Sequence, residues 1–191
     1  MKCLLCGRWS LSHICRRCRA THLQPALYTR KILGTIPVYS FYQYDEIELL
    51  LHTKHTDLGF YVYRILAEES MRTFAAQFNY SRRVAALGVD DHARHGYSHT
   101  ALLTRALVSE HIRPRYGHLR AQNHLTYSGK DYQYRLLHPR RFRYRPFAEE
   151  EVILVDDILT TGLTLTQAAE TLHRNGKKVL FSLTLADVRK R

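Results

Sequence analysis

The sequence predicts an α/β fold, in which a mainly parallel sheet is covered by helices on both faces. "TIPVYSFYQY" (35–44) is β-branched and aromatic, typical of a strand, and a helical pattern follows it in 45–55. "RVAALGV" (83–89) reads as a second strand, with a helix from about Ser98. Residues 151–187 predict strand, helix (161–174) and strand, a right-handed βαβ unit.

Residues 57–78 predict one long amphipathic helix. Leu58, Tyr61, Ile65, Leu66, Phe74 and Phe78 fall close to one helical face. We interpret this face as part of the core.

The length of 191 residues suits one compact domain and a small accessory element. We expect a unit at 1–24 and a main domain at 25–191. No run approaches the roughly 18 apolar residues of a transmembrane helix, and the first ten residues lack the features of a signal peptide. We therefore expect a cytoplasmic protein.

Two C-x-x-C pairs lie close together near the N-terminus. Cys3 and Cys6 form the first pair and Cys15 and Cys18 the second, with eight residues between them. Each pair can aim two sulfurs at one point, so four thiolates can close a tetrahedral zinc shell. Four protein ligands leave no open position for water, so the spacing predicts a structural zinc site in a unit too small for its own core.

The stretch "VILVDDILTTGLTL" (152–165) brings two carboxylates to the end of an apolar strand. In a parallel sheet, ligands collect beyond the carboxyl ends of the strands. The Thr-Thr-Gly turn and the following helix N-terminus suit a phosphate. Asp156 and Asp157 would repel that phosphate, so we expect them to face ribose hydroxyls or a divalent metal instead.

This stretch resembles the 5-phosphoribosyl-1-pyrophosphate (PRPP) signature of the type I phosphoribosyltransferases. The resemblance implies that Asp156 and Asp157 hold the ribose hydroxyls and that magnesium accompanies PRPP. It also implies that a loop wraps the 5′-phosphate, formed by Thr160, Thr161, Gly162, Leu163 and Thr164. In the hypoxanthine-guanine branch, an Asp that assists the purine stands where this chain has Thr160. A threonine cannot do that proton transfer, which favours PRPP or nucleotide binding over transfer to a purine.

An N-terminal four-Cys unit followed by a PRPP signature is similar to the layout of the ComF competence proteins. "YDEIELLLHTKHTDLG" (44–59) resembles a family segment, with Lys54 in the Lys position. "RHGYSHTALL" (94–103) and "QNHLTYSGKDYQ" (122–133) resemble two others. His95, Tyr97, Ser98, His99, Lys130 and Gln133 depart from the family's usual residues. The pyrophosphate loop would be "GVDDHARHG" (88–96), where Asp90 and Asp91 suit that anion only with a metal between them.

The chain is strongly basic, with 29 Lys and Arg against 17 Asp and Glu and a formal net charge of +12. Such a balance favours a polyanionic partner, although solubility alone is the simpler explanation. The charge concentrates in 111–145, where tyrosines lie between the basic residues. Basic side chains can bind the phosphates of single-stranded DNA, and aromatic rings can stack on its bases. The alternative interpretation of this segment is a solvated loop without a nucleic-acid role. The candidate DNA-binding residues are Arg113, Arg115, Arg120, Lys130, Arg135, Arg140, Arg141, Arg143 and Arg145.

The ComF resemblance implies a role in natural transformation. The protein would bind PRPP and handle incoming single-stranded DNA in the cytoplasm beside a helicase-like partner, which allows peripheral association with the inner membrane through partners. The alternative is a metabolic phosphoribosyltransferase that transfers the phosphoribosyl group to an amine or base. A third hypothesis is a PRPP or nucleotide sensor that regulates a partner.

Overall fold

The computed structural model describes residues 1–89, 96–122 and 141–188. The N-terminal half contains five helices and three strands among these residues: α1 (Arg16–His22), β1 (Tyr28–Ile32), β2 (Ile36–Gln43), α2 (Tyr44–Leu51), a 3₁₀ turn (His52–His55), α3 (Asp57–Ala67), a π turn (Glu68–Arg72), α4 (Thr73–Gln77), β3 (Val84–Gly88) and α5 (His99–Ala106). The remaining described elements are β4 (Ile112–Pro114), β5 (Leu119–Ala121), β6 (Phe142–Tyr144), β7 (Glu151–Leu159), α6 (Leu163–Arg174) and β8 (Lys178–Asp187).

The central sheet has six strands in the order β1-β2-β8-β7-β3-β4. Strand β1 pairs with β2 antiparallel, and every other neighbouring pair is parallel. Strands β5 and β6 form a separate antiparallel pair. The mixed α/β fold with a mainly parallel sheet is therefore confirmed.

The two faces of the sheet carry separate hydrophobic clusters. In β7, Ile153 and Val155 pack on the side that holds α3 and α5, while Val152 and Leu154 pack with α6. All four residues are fully buried. A strand buried on both faces needs an unbroken apolar run, which is why "VILV" contains no polar residue.

The amphipathic segment 57–78 is not one regular helix. The π turn at 68–72 separates α3 from α4, and it adds a residue to one turn. Within α3, before this turn, Val62 and Tyr63 are buried while Tyr61 is 48% exposed. Placing Tyr61 in the core was therefore wrong, because the buried face of α3 is centred on Val62, Tyr63 and Leu66.

The N-terminal unit packs against the helical side of the main domain. Ile14 and Leu23 are buried in the same cluster as residues of α3 and β7. The His13 ring stacks on Tyr61, with 4.5 Å between ring centroids. Arg19 contacts Glu68 and Glu69 of the π turn at 3.5 and 3.4 Å. This unit therefore shares its apolar contacts with the main domain.

None of the described helices is long and apolar enough to span a membrane.

Candidate functional site

The strand order creates a crevice between the carboxyl ends of β3 and β7. From β3 the chain moves outward to β4, whereas β7, on the other side of β3, leads to β8. Such a reversal of direction is where open α/β sheets bind ligands. The sequence stretch 156–164 lies at this edge. The expected pyrophosphate loop (88–96) falls mostly on residues 90–95, including Asp90, Asp91 and His95, which lie outside the described residues.

The turn after β7 has the backbone geometry of an anion loop. Gly162 is the N-cap of α6 and adopts a left-handed conformation with φ of 77°. A Cβ at this position would lie 2.8 Å from Cγ2 of Ile32, so both the conformation and the space require glycine. The Thr161 hydroxyl accepts the N–H of Leu163 at 3.4 Å. The first turn of α6 offers further N–H groups at the positive end of its dipole.

Arg30 braces this turn from the edge strand β1. Its Nη1 donates to the carbonyl of Thr160 at 2.8 Å and to Oδ1 of Asp187 at 2.8 Å. Asp187 ends β8 and is 1% exposed. Sequence reasoning missed both residues, because Arg30 lies 130 positions from Thr160 and 157 positions from Asp187, with no local pattern that would connect them.

Asp157 is the centre of a buried polar cluster. Its Oδ2 accepts from Lys54 Nζ at 3.0 Å and from the Tyr63 hydroxyl at 3.3 Å, and it lies 3.7 Å from His99 Nε2. Burial alone would raise the pKa of Asp157, but His99 and Lys54 hold it well below its usual range. For Lys54, burial opposes the charge, yet Asp157 raises its pKa above the ordinary value.

The two neighbouring acids have different surroundings. Asp156 is half-buried, and its Oδ1 accepts the N–H of Asp157 at 2.9 Å. The contacts of the Asp157 carboxylate described above all fall on Oδ2.

The segment 96–99 is fixed to the same cluster. The Tyr97 hydroxyl donates to the carbonyl of Lys54 at 2.7 Å, and Ser98 caps α5 by accepting the N–H of Ala101. Gly59 at the start of α3 leaves room for this contact, since a Cβ there would collide with the Tyr97 hydroxyl and the Thr53 carbonyl. Three segments distant in sequence therefore meet at the ends of β3 and β7.

The four N-terminal cysteines come together as their spacing predicts. Their sulfurs all lie within 4.8 Å of one another, and Cys6 Sγ is 3.8 Å from Cys15 Sγ. A tetrahedral site with Zn–S bonds of about 2.3 Å has S···S edges of about 3.8 Å. The donor set therefore fits a four-coordinate metal ion such as zinc.

The thiols titrate unequally when they face only one another. Burial raises the pKa of Cys3, but N–H groups of Cys15, Cys6 and Leu5 outweigh it and lower the pKa to about 6. Burial and the three neighbouring thiols raise the pKa of Cys18 to about 12. A metal must therefore displace protons to gather four thiolates.

The basic segment is only partly described. Arg120 on β5 lies directly opposite Arg143 on β6, and both are exposed, as are Arg113, Arg141 and Arg145. Arg115 makes a bidentate ion pair with Glu149, with distances of 2.9 and 2.7 Å. Lys130, Arg135 and Arg140 lie outside the described residues.

No protein-family model matches the chain, and no curated protein is significantly similar to it. Similar solved structures include a glutamic acid mutant of an HPRT, made at an invariant aspartic acid, with 19% identity, a TM-score of 0.43, and 67% of this chain and 68% of that chain covered. Trypanosoma cruzi hypoxanthine phosphoribosyl transferase has 21% identity and a TM-score of 0.41. The match covers 65% of this chain and 64% of that one, so the chain spans less than two thirds of that protein. Orotate phosphoribosyltransferase from Aeropyrum pernix has 18% identity and a TM-score of 0.39, with 90% of this chain and 80% of that chain covered. Likenesses this weak do not decide what the protein does.

We expect the Asp157→Asn variant to lower the free energy of unfolding by about 3 kcal/mol near pH 7, because Lys54 loses its buried acid. The folded-state pKa of Asp157 is depressed, so its stabilisation is fully present above the pKa of the unfolded chain and is lost as pH falls from there towards the lower pKa of the folded state. Urea unfolding should therefore show that the difference in unfolding free energy between parent and variant shrinks from about pH 5 to about pH 2.

The matched control is Asp156→Asn, which removes an acid outside the Lys54 contact and should cost less. A gap between the parent and Asp157→Asn that stays constant across this pH range would contradict the account of Asp157.

We expect the purified protein to bind one zinc ion per chain and to lose it in Cys18→Ser, because three thiolates and a hydroxyl cannot close the same shell. Metal analysis by mass spectrometry measures the content. The Cys6→Ser variant should lose zinc as well, whereas Ser12→Ala, in the same unit, should retain it. Retention of a full equivalent by Cys18→Ser would contradict a four-thiolate site.

Proposed function

We propose that the protein binds PRPP at the turn between β7 and α6. The observation that carries the proposal is the joint presence of paired carboxylates and a glycine-capped helix start at the point where the strand order reverses. In this arrangement the N–H groups and hydroxyls of Thr160–Thr164 receive the 5′-phosphate. Arg30 supports this assignment, because it holds the Thr160 carbonyl and keeps the turn in one shape.

In this proposal Asp156 and Asp157 bind the ribose in different ways. Asp156, which is half-buried, accepts from a ribose hydroxyl, and Asp157 supplies the second carboxylate, whose Oδ2 is held by Lys54. PRPP carries magnesium between its hydroxyl and pyrophosphate oxygens, and the local negative charge of the acids suits that ion. The site is then a type I phosphoribosyltransferase pocket.

The surface of β5 and β6 supports a nucleic-acid role for the same protein. Like charges directly opposite one another on a strand pair are destabilising. Arg120 and Arg143 nevertheless occupy such a pair, with exposed Arg141 and Arg145 beside them. An external polyanion relieves that repulsion. We therefore propose that this face binds single-stranded DNA, as in a ComF-type protein of cytoplasmic DNA uptake acting with a helicase-like partner.

A metabolic phosphoribosyltransferase is the second candidate, since its pocket would have the same geometry. It requires the release of pyrophosphate from PRPP with some amine or base as acceptor. Thr160 disfavours a purine acceptor of the hypoxanthine-guanine kind. Pyrophosphate release with one member of a broad acceptor panel would establish this candidate. No pyrophosphate release with any acceptor of the panel would exclude it in favour of a binding pocket.

We expect Asp156→Asn to weaken PRPP binding at least about tenfold, because a hydrogen bond to a charged group contributes about 1.5–3 kcal/mol. Calorimetric titration with PRPP and magnesium measures the affinity. The matched control is Glu150→Gln, an exposed acid just before β7, which should bind like the parent. Equal affinity of Asp156→Asn and the parent would refute the assignment of the ribose hydroxyls.

We expect affinity for a labelled oligothymidine to fall as salt rises, with a log–log slope that is shallower by about 1.4 in the Arg120→Gln/Arg143→Gln variant, since each lost phosphate contact removes about 0.7. Fluorescence anisotropy over a salt series measures this slope. The control Arg82→Gln/Arg174→Gln removes the same charge elsewhere and should keep the parent's slope. Binding that does not weaken with salt would count against DNA altogether.

A further inference from the structure

A second basic site lies on the helical side of the molecule, away from the β7–α6 turn. A groove of about 550 Å³ separates α3 and the π turn from α5. Three arginines line it, Arg64, Arg72 and Arg105, and Leu102 and Val108 form part of an apolar wall. The volume falls in the range of small-molecule sites, about 300–1,000 Å³.

The π turn brings two of these arginines to the same side. In a continuous α-helix, eight residues rotate the chain by about 800°, which would set Arg64 and Arg72 about 80° apart. The π turn uses one more residue for the same rotation and reduces this to about 20°. Both side chains consequently reach the groove. Insertions of this kind are frequent at functional sites.

The three guanidinium groups form no ion pair with any residue that the structure describes. Arg64 lies over the Phe60 ring, 5.8 Å from its centroid, which holds its charge in place. The one acid in the groove, Glu68, contacts Arg19 instead. Among the described residues, the groove thus presents three guanidinium groups against one carboxylate, which Arg19 shares.

We propose that this groove binds an organic di- or triphosphate, with the phosphates on the three arginines and the uncharged part against Leu102 and Val108. Val108 is 63% exposed, which leaves apolar surface for such a body. Arg64 already covers Phe60, so this ring cannot stack freely on a base as single-stranded nucleic acid requires. A small ligand therefore fits better than a strand.

The groove shares its walls with the candidate PRPP site. Helix α3 carries Arg64 next to Tyr63, and α5 carries Arg105 six residues after His99. Tyr63 and His99 both face Asp157. The proposal rests on the groove's own arginines and apolar wall, so it stands independently of the proposed function.

The test is calorimetric titration of the zinc-loaded full chain with ATP and with inorganic tripolyphosphate, both without divalent metal. Arg64→Gln, Arg72→Gln and Arg105→Gln should each weaken ATP binding about tenfold, because each removes a charge-assisted contact. Arg174→Gln, which removes an equal charge from α6, should bind ATP like the parent. ATP should bind more tightly than tripolyphosphate because of the apolar wall.

The conservative variant Arg105→Lys should retain most of the ATP affinity, and its thermal unfolding should match that of the parent. Unchanged ATP binding in the three glutamine variants would overturn the site, as would an equal loss in Arg174→Gln. If ATP binds no more tightly than tripolyphosphate, the assignment of an organic ligand is overturned. An oligothymidine more strongly affected than ATP by the same three substitutions would overturn a small-molecule site in favour of a nucleic-acid surface.

Discussion

The buried ion pair between Lys54 and Asp157 is the interaction on which the candidate site depends. A carboxylate with 6% exposure is costly unless it is paired, and here an ammonium group and a tyrosine hydroxyl both reach one oxygen. Lys54 belongs to the 3₁₀ turn, Tyr63 to α3 and Asp157 to β7. A single pair thus fixes how the helical side sits on the end of the central sheet.

Lys54 also holds the segment before α5, through its backbone carbonyl. The Lys54 carbonyl accepts from Tyr97, so the segment before α5 is held next to the turn that also carries the Asp157 contact. Arg30 acts on that loop from the opposite edge of the sheet. Both contacts hold backbone rather than ligand, which is how a binding site is preorganised. A phosphorylated ligand would therefore meet a turn that is already shaped.

The N-terminal unit contributes to the helical side as well. Four clustered thiols replace the core that so short a segment lacks, and Ile14 and Leu23 extend the main core beneath it. Arg19 of this unit pairs with Glu68 and Glu69, the acids of the π turn. Of these two acids, Glu68 also lines the groove of Arg64 and Arg72. The four-cysteine unit and the basic groove are thereby connected through the π turn.

Local patterns in the sequence were sufficient for several features. The apolar run "VILV" predicts a strand buried on both faces, and the spacing of Cys3, Cys6, Cys15 and Cys18 predicts one cluster, because neighbouring residues alone decide these features. The same patterns did not reveal β1, whose "YTRKI" is polar and alternates only as an exposed edge strand does. Nor did they reveal the π turn, since periodicity assumes a constant number of residues per turn.

The sequence by itself determined the α/β class, the four-thiol cluster and the anion-loop motif, because each depends on residues that lie close together in the chain. Only the tertiary structure decided which partners surround the motif. Lys54, 103 positions from Asp157, and Arg30, 130 positions from Thr160, reach it across the strand order of the sheet. "VILVDDILTTGLTL" is thus both a strand with a glycine-capped turn and the point at which distant segments meet, because charges paired through space leave no periodic trace along the chain.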